Sequence, residues 1–299
     1  MEPLFSFIIP HKNTPELLQK CIDSIPHRED VQIIVVDDNS DASKVDFEHF
    51  PGLDDPKVEV HLTKEGRGAG YARNIGLDHA QGKWLVFADS DDFFNPCIAE
   101  AMNLYPESEY DIIFFKASCL DLNTGQSGYR HIALNKRIDE AYSSGNYNEL
   151  LFFSIPWAKF FRRSFVVENA IRFQEVRWAN DVLFSTKCGL AAKKVVCSNI
   201  PIYCVTSRKG SLIKDTSFEA AKVRFEVDCE SSRLINQAGV NDINKYWTYK
   251  TWARLFTIKP LYALSRIVGI FHAIGPIYIK YVISDIFHSL FRVIKKKSK

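Results

Sequence analysis

The first 120 residues alternate unbroken apolar runs with amphipathic stretches. LFSFIIP (4–10) is a short apolar run that stops at a proline, as a strand buried on both faces does. Thr14 stands where a helix N-cap belongs and Pro15 fits the first turn. Leu17, Leu18, Cys21, Ile22 and Ile25 then share one face at helical spacing. VQIIVV (31–36) and KWLVFA (83–88) are further buried-strand runs, KVEVHLT (57–63) alternates like a half-buried strand, and DIIFFKA (111–117) is a fifth. GRGAGYARNIGLDHAQG reads as a loop entering a helix that ends at Gly82. Residues 120–215 are less regular, with a strand expected in PIYCVTSRKGS (201–211). From about 217 the chain turns helical and aromatic.

Strands that alternate with helices build a mostly parallel, Rossmann-like α/β sheet with helices on both faces. In such sheets ligands bind beyond the carboxyl ends of the strands. Three runs end there in polar clusters: Pro10-His11-Lys12-Asn13, Asp37-Asp38-Asn39-Ser40 and Asp89-Ser90-Asp91-Asp92. They are expected to converge on one rim.

Charge divides the chain in a second way. Of 38 basic and 36 acidic side chains, the fifty residues from Lys250 hold ten and one, a net +9 against −7 for the rest. Within 277–294 the polar residues Lys280, Ser284, Asp285, His288, Ser289 and Arg292 form one narrow helical stripe, followed by KKKSK. A wide apolar face with a basic end suits a helix lying in an anionic membrane interface; packing on the core or a dimer seam is the blander alternative. The bases carry no nucleic-acid recognition motif, so nucleic acid is not an expected partner. The seven cysteines lack C-x-x-C spacing, which fits reduced thiols in the cytoplasm and argues against zinc. MEPLFSFIIP has no basic n-region, and no uncharged apolar run reaches 18 residues, so neither a signal peptide nor a transmembrane helix is expected.

The acids of the rim carry the candidate chemistry. Asp89 and Asp91 share a face if the strand continues, and crowded carboxylates call for a positive charge between them. A divalent cation meeting nucleotide phosphates would supply it; an Asp-rich helix cap is the alternative. Asp37 and Asp38 suit hydrogen bonds to a base or ribose, or an Asx-turn. Gly66 to Asn74 allows backbone N–H groups near a phosphate, with Arg73 adding a bidentate charge; it equally suits a plain helix entry. Asp181 precedes an apparent helix, as either its N-cap or a general base.

Taken together, the segments resemble a family 2 glycosyltransferase of the GT-A fold over residues 4–213. FSFIIPHKNTPELLQKCIDSI, IIVVDDNSD, GAGYARNIGLDHAQGKWLVFADSDD, IPWAKFFRRSFV…AIRFQEVRWANDVLF and SRKGSLIKD occur in the family's order. The resemblance implies a GT-A domain at 1–215, its nucleotide-binding half about 1–120 and its acceptor half about 120–215. A helical, aromatic-rich region at 216–299 follows. It implies Pro10 and Asp38, with Asp37 beside them, at the base and ribose, and Arg73 near the diphosphate. It implies further that Asp89 and Asp91 form a D-x-D motif for Mn²⁺ or Mg²⁺, with Asp91 as the direct metal ligand and Asp89 also bonding the sugar or ribose of the donor. It also implies that Asp181 is the general base, and that Trp157, Lys159 and Asn180 lie on the acceptor side. Asn180 departs from the family's usual Glu, and His11 is uncommon at its position.

The expected reaction is inverting transfer of a sugar from a nucleotide-sugar, UDP-linked, to a hydroxyl of a glycan or lipid-linked acceptor in bacterial cell-surface polysaccharide synthesis. Its expected place is the cytoplasm, peripheral at the inner membrane face. A nucleotidyltransferase is the enzymatic rival, but PHKN stands where its glycine-rich phosphate loop belongs. A membrane-attached scaffold without activity is the other rival, and the retained acids count against it.

Overall fold

The computed structural model describes residues 2–208, 215–240 and 245–274. The chain divides into two units, Met1–Ser211 and Leu212–Lys299. In the first, β1 (Phe5–His11), α1 (Pro15–Asp23), β2 (Val31–Asp38), β3 (Val58–Thr63), α2 (Ala69–His79) and β4 (Trp84–Phe87) follow the expected alternation. Then come β5 (Phe93–Phe94), α3 (Ile98–Leu104), β6 (Ile112–Asp121), α4 (Ile132–Ser144), α5 (Asn148–Leu151), β7 (Lys159–Arg162), α6 (Arg163–Glu168), α7 (Val182–Ala191) and β8 (Val195–Ser207).

The eight strands form one sheet in the order β3-β2-β1-β4-β7-β6-β8-β5. β1, β2, β3 and β4 are mutually parallel where they pair. β7 runs against both β4 and β6, and β5 against β8, so the parallel half is continued by a mixed half. β1 is buried along its whole length, and Trp84 to Phe87 are buried too, as unbroken apolar runs require. Phe87 packs edge-on to Phe161, Phe173 and Phe184, closing the core beneath the rim. Each such buried ring contributes about 1.5–3 kcal/mol.

Three local expectations need correction. Thr14 occupies the N-cap position of α1 but its side chain makes no capping bond. α2 ends at His79, not Gly82, because Ala80 is already extended. The strand expected at 201–211 is longer and earlier, Val195–Ser207, with a register shift where Lys116 faces Pro201. β7 lies inside a segment whose sequence has no strand alternation, since all of Lys159, Phe160 and Phe161 are buried.

The second unit is helical: α8 (Phe218–Gln237), α9 (Lys245–Ile258), α10 (Pro260–Ser265) and α11 (Ile267–Ile274). Ser217 caps α8 by accepting the N–H of Ala220 at 3.2 Å. Trp252 is fully buried among Phe225, Leu255, Ala263 and Ile270, and its indole N–H donates to the Ala263 carbonyl at 3.0 Å. The basic amphipathic segment at 277–299 lies outside the described residues.

Candidate active site

β1 and β2 end side by side, and their last residues define the first part of the rim. His11 Nε2 accepts the N–H of Thr14 at 3.0 Å, so its proton sits on Nδ1, which donates to Asp37 at 2.7 Å. Asp37 also accepts the hydroxyl and N–H of Ser40, at 2.5 and 2.8 Å. Burial works to raise its pKa, but the bonds from His11 and Ser40 prevail and hold it below the usual value. With both oxygens engaged inward, Asp37 orders the turn and is not presented to a ligand. Asp38 projects to the other face, and both its oxygens accept the Gly68 N–H at 3.0 and 2.9 Å. Lys12 reaches the same carboxylate at 3.3 Å. Gly68 has φ +96°, a conformation that favours glycine, so this contact fixes the loop that opens α2. Pro10 is buried in β1 opposite Val36.

The acidic segment after β4 is a turn rather than extended strand, closed by the Asp92 N–H on the Asp89 carbonyl at 3.0 Å. Oxygens of Asp89, Asp91 and Asp92 lie within 4.8 Å of one another. Two arginines supply positive charge. Arg73, on α2, donates to Asp89 Oδ1 at 2.5 Å, and Arg208, just past β8, donates to Asp91 Oδ2 at 3.0 Å. Asp92 is turned inward, where it accepts the Tyr203 hydroxyl at 2.8 Å and the Thr206 N–H at 2.6 Å. Burial, then the neighbouring carboxylates, push its pKa well above the usual value. Tyr203 also accepts the Asp89 N–H at 3.0 Å, so one phenol ties both ends of the turn. Among the described residues no hydrogen bond reaches Asp89 Oδ2 or Asp91 Oδ1. Two carboxylate oxygens thus stay available, the hard donor set that Mg²⁺ or Mn²⁺ takes.

Arg73 also reaches the opposite wall. Its second terminal nitrogen donates to Asn180 Oδ1 at 2.8 Å, and its guanidinium lies over the Phe173 ring. A Cβ on Gly70 would come within 2.1 Å of the Gln174 carbonyl, so glycine is what lets α2 approach this segment. Asp181 follows Asn180 at the entry to α7 and makes no side-chain capping bond, which removes the plain N-cap reading. Burial pushes its pKa to about 6, partly opposed by the charge of Arg73.

The two residues Trp157 and Lys159, expected on the acceptor side, are both buried. Trp157 is buried and stacks on Tyr203 with ring centroids 5.3 Å apart. Lys159 is 1 % exposed, donates to the Phe153 carbonyl at 2.9 Å, and is pushed down to about 7 by burial. β7 is buried on both faces here, and the lysine is enclosed with it, over the Phe114 ring. Asn39 and Ala179, next to Asp38 and Asn180, have positive φ, as do Asn13, Ala158 and Ala170.

Sequence reasoning passed over Tyr203, Thr206 and the separate part of Asp92. Asp92 and Arg208 were visible as the last acid of DSDD and the base of SRKGS. Tyr203, in an apolar strand run, gave no signal of its contact with a turn more than a hundred residues away.

Residues 6–168, more than half of the chain, match the family described as glycosyl transferase family 2. The chain belongs to this family. It is 25% identical to EpsH of Bacillus subtilis (strain 168) over 83% of this chain and 72% of that one. To the poly(ribitol-phosphate) beta-N-acetylglucosaminyltransferase TarS of Staphylococcus aureus (strain Mu50) it is 26% identical over 69% of its length, spanning only 36% of TarS. The TarS 1-349 structure in complex with UDP-GlcNAc superposes with TM-score 0.63 at 22% identity, covering 91% of this chain and 79% of that chain. The mannosyltransferase PcManGT of Pyrobaculum calidifontis, in complex with GDP-Man and Mn²⁺, gives TM-score 0.57 at 16% identity over 96% and 85%. At these identities the superpositions speak for the fold, which is GT-A. This glycosyltransferase therefore has the fold expected from its sequence, and the nucleotidyltransferase alternative falls away.

Proposed function

We propose that this family 2 glycosyltransferase moves a sugar from a nucleotide-sugar, UDP-linked, to a hydroxyl of a glycan or lipid-linked acceptor in cell-surface polysaccharide synthesis, with inversion. The observation that carries the reading is the Arg73 guanidinium, which bonds to Asp89 on one side and to Asn180, beside Asp181, on the other. A donor-side acid and the segment of the base are thereby held in one frame. TarS, bound to UDP-GlcNAc, supports a UDP-linked donor, and the manganese in PcManGT supports a metal.

Asp91, with Asp89, would hold a divalent cation, which when bound offsets the charge that develops on a departing diphosphate. Asp181 takes the proton of the acceptor hydroxyl as its oxygen attacks the anomeric carbon. The new C–O bond forms while the bond to the diphosphate breaks, and its electron pair leaves with the nucleotide. One displacement inverts the centre. Arg73 keeps the donor acid and the base segment in register and holds down the pKa of Asp181. Asp38, by fixing Gly68, shapes the loop beside the nucleotide. Attachment at the inner membrane face would come from residues 277–299; among the described residues no helix is long and apolar enough to cross a membrane.

Calorimetric titration with UDP and GDP, each with and without Mn²⁺, tests the donor assignment. Binding of UDP strengthened by Mn²⁺ is expected. A folded protein that binds no nucleotide under either condition returns the scaffold reading.

A further inference from the structure

Three metal-ligating side chains meet at the outer edge of the sheet. Glu59 and His61 are two apart on β3, the edge strand, and so share a face, while His79 is the last residue of α2. His61 Nε2 lies 2.8 Å, and His79 Nδ1 2.9 Å, from the same oxygen, Glu59 Oε1. The other oxygen of Glu59 accepts from the Gln32 side-chain amide at 3.2 Å. The same amide nitrogen also donates to the His79 carbonyl at 3.1 Å. α2 leaves the rim at the Gly68 contact and runs about 16 Å along its axis, so its end lies far from the acidic turn.

The bland reading is a staple that fastens the end of α2 to β3. One imidazole on the carboxylate would be enough for that. Here two imidazoles, with ring centroids only 3.9 Å apart, aim a nitrogen each at one oxygen atom. The three donors lie within 4.8 Å of one another, and the side chains keep partial exposure. A carboxylate fixed through its second oxygen is the outer-shell support that ligands usually have. The exposed side leaves room for a water in a fourth position.

We propose that Glu59, His61 and His79 form a second divalent-cation site, separate from the acidic turn, for zinc or a neighbouring late first-row ion. Two imidazoles and one carboxylate favour such ions over magnesium, which wants oxygen ligands alone. On binding, the ring protons that face Glu59 move to the outward nitrogens as the metal takes their place. The ion ties β3 to the helix that carries Arg73.

Zinc titration of tag-free full-length protein by calorimetry, with magnesium in excess to occupy the acidic turn, tests this. One equivalent of Zn²⁺ is expected to bind. His61→Gln and His79→Gln should each weaken it by at least about tenfold, since losing a ligand costs no less than losing its outer-shell support. Asp91→Asn should leave it unchanged. Thermal unfolding of His79→Gln without zinc should match that of the natural protein, which separates a lost ligand from a lost fold. Absence of zinc binding, equal affinity in His79→Gln, or loss of binding in Asp91→Asn would overturn the proposal.

Discussion

Arg73 donates to Asn180 at 2.8 Å, joining the helix behind the glycine loop to the residue just before Asp181. A glutamate in place of Asn180 would pair with the same guanidinium and cancel much of its field. The amide accepts the hydrogen bond without adding charge, so more of the Arg73 field is left to act on Asp181.

Asn180→Glu should therefore raise the pKa of Asp181 above about 6 and move the acidic limb of the pH–rate profile upward. The measurement is turnover against pH for both proteins with one donor and acceptor. An unmoved limb would detach Asn180 from the control of the base.

Asp181 itself links activity and stability in opposite senses. As the base it must be ionised, so turnover should rise with pH through about 6, and Asp181→Asn should lower it roughly 10²–10⁴-fold. Its pKa is raised in the fold from 3.8, so its contribution to stability is present below about pH 4 and lost as pH rises through about 6. At pH 8 the ionised group then costs up to about 3 kcal/mol, less where water at the rim screens it. Urea unfolding should find Asp181→Asn more stable than the natural protein at pH 8 and little different at pH 4. Equal effects at both values would mean that the carboxyl is not strained by burial.

Asp91 and Asp92 are neighbours with opposite roles. Asp91→Ala should leave the urea midpoint nearly unchanged, since it removes one part-exposed ion pair to Arg208. Asp92→Ala should cost about 1–3 kcal/mol, because the Tyr203 hydroxyl and the Thr206 N–H lose a buried acceptor. Tyr203→Phe should share part of that loss. Equal stability of the two alanine variants would contradict the division.

Deleting residues 277–299 should release the protein from vesicles containing anionic lipid, as read by co-sedimentation. Binding to neutral vesicles should be weak throughout. Unchanged binding after deletion would assign that segment to packing or self-association.

In the parallel half, β1, β2 and β4 were legible as continuous apolar runs closed by polar residues, and the edge strand β3 by its alternation. The antiparallel β7 was not, since its four residues carry a buried lysine and two arginines nearby, and its place between β4 and β6 is set by long-range pairing. The rim acids were legible by position. Their division of labour was not: Asp37 and Asp38 are adjacent and chemically alike, yet one meets His11 and the other Gly68, contacts made by residues 26 and 30 positions away. Lys159 and Trp157 were expected on the acceptor side only because they match the family's motif there. Spacing alone could not reveal that Tyr203 and the Phe153 carbonyl wait for them inside.

The most direct test is nucleotide release from a panel of nucleotide-sugars, with Mn²⁺ and with EDTA, in the natural protein and in Asp91→Asn. The predicted result is release from one donor, UDP-linked, abolished by EDTA and lost in Asp91→Asn while its circular dichroism is unchanged. Release that persists in EDTA and at near-normal rate in Asp91→Asn would contradict a cation at the acidic turn.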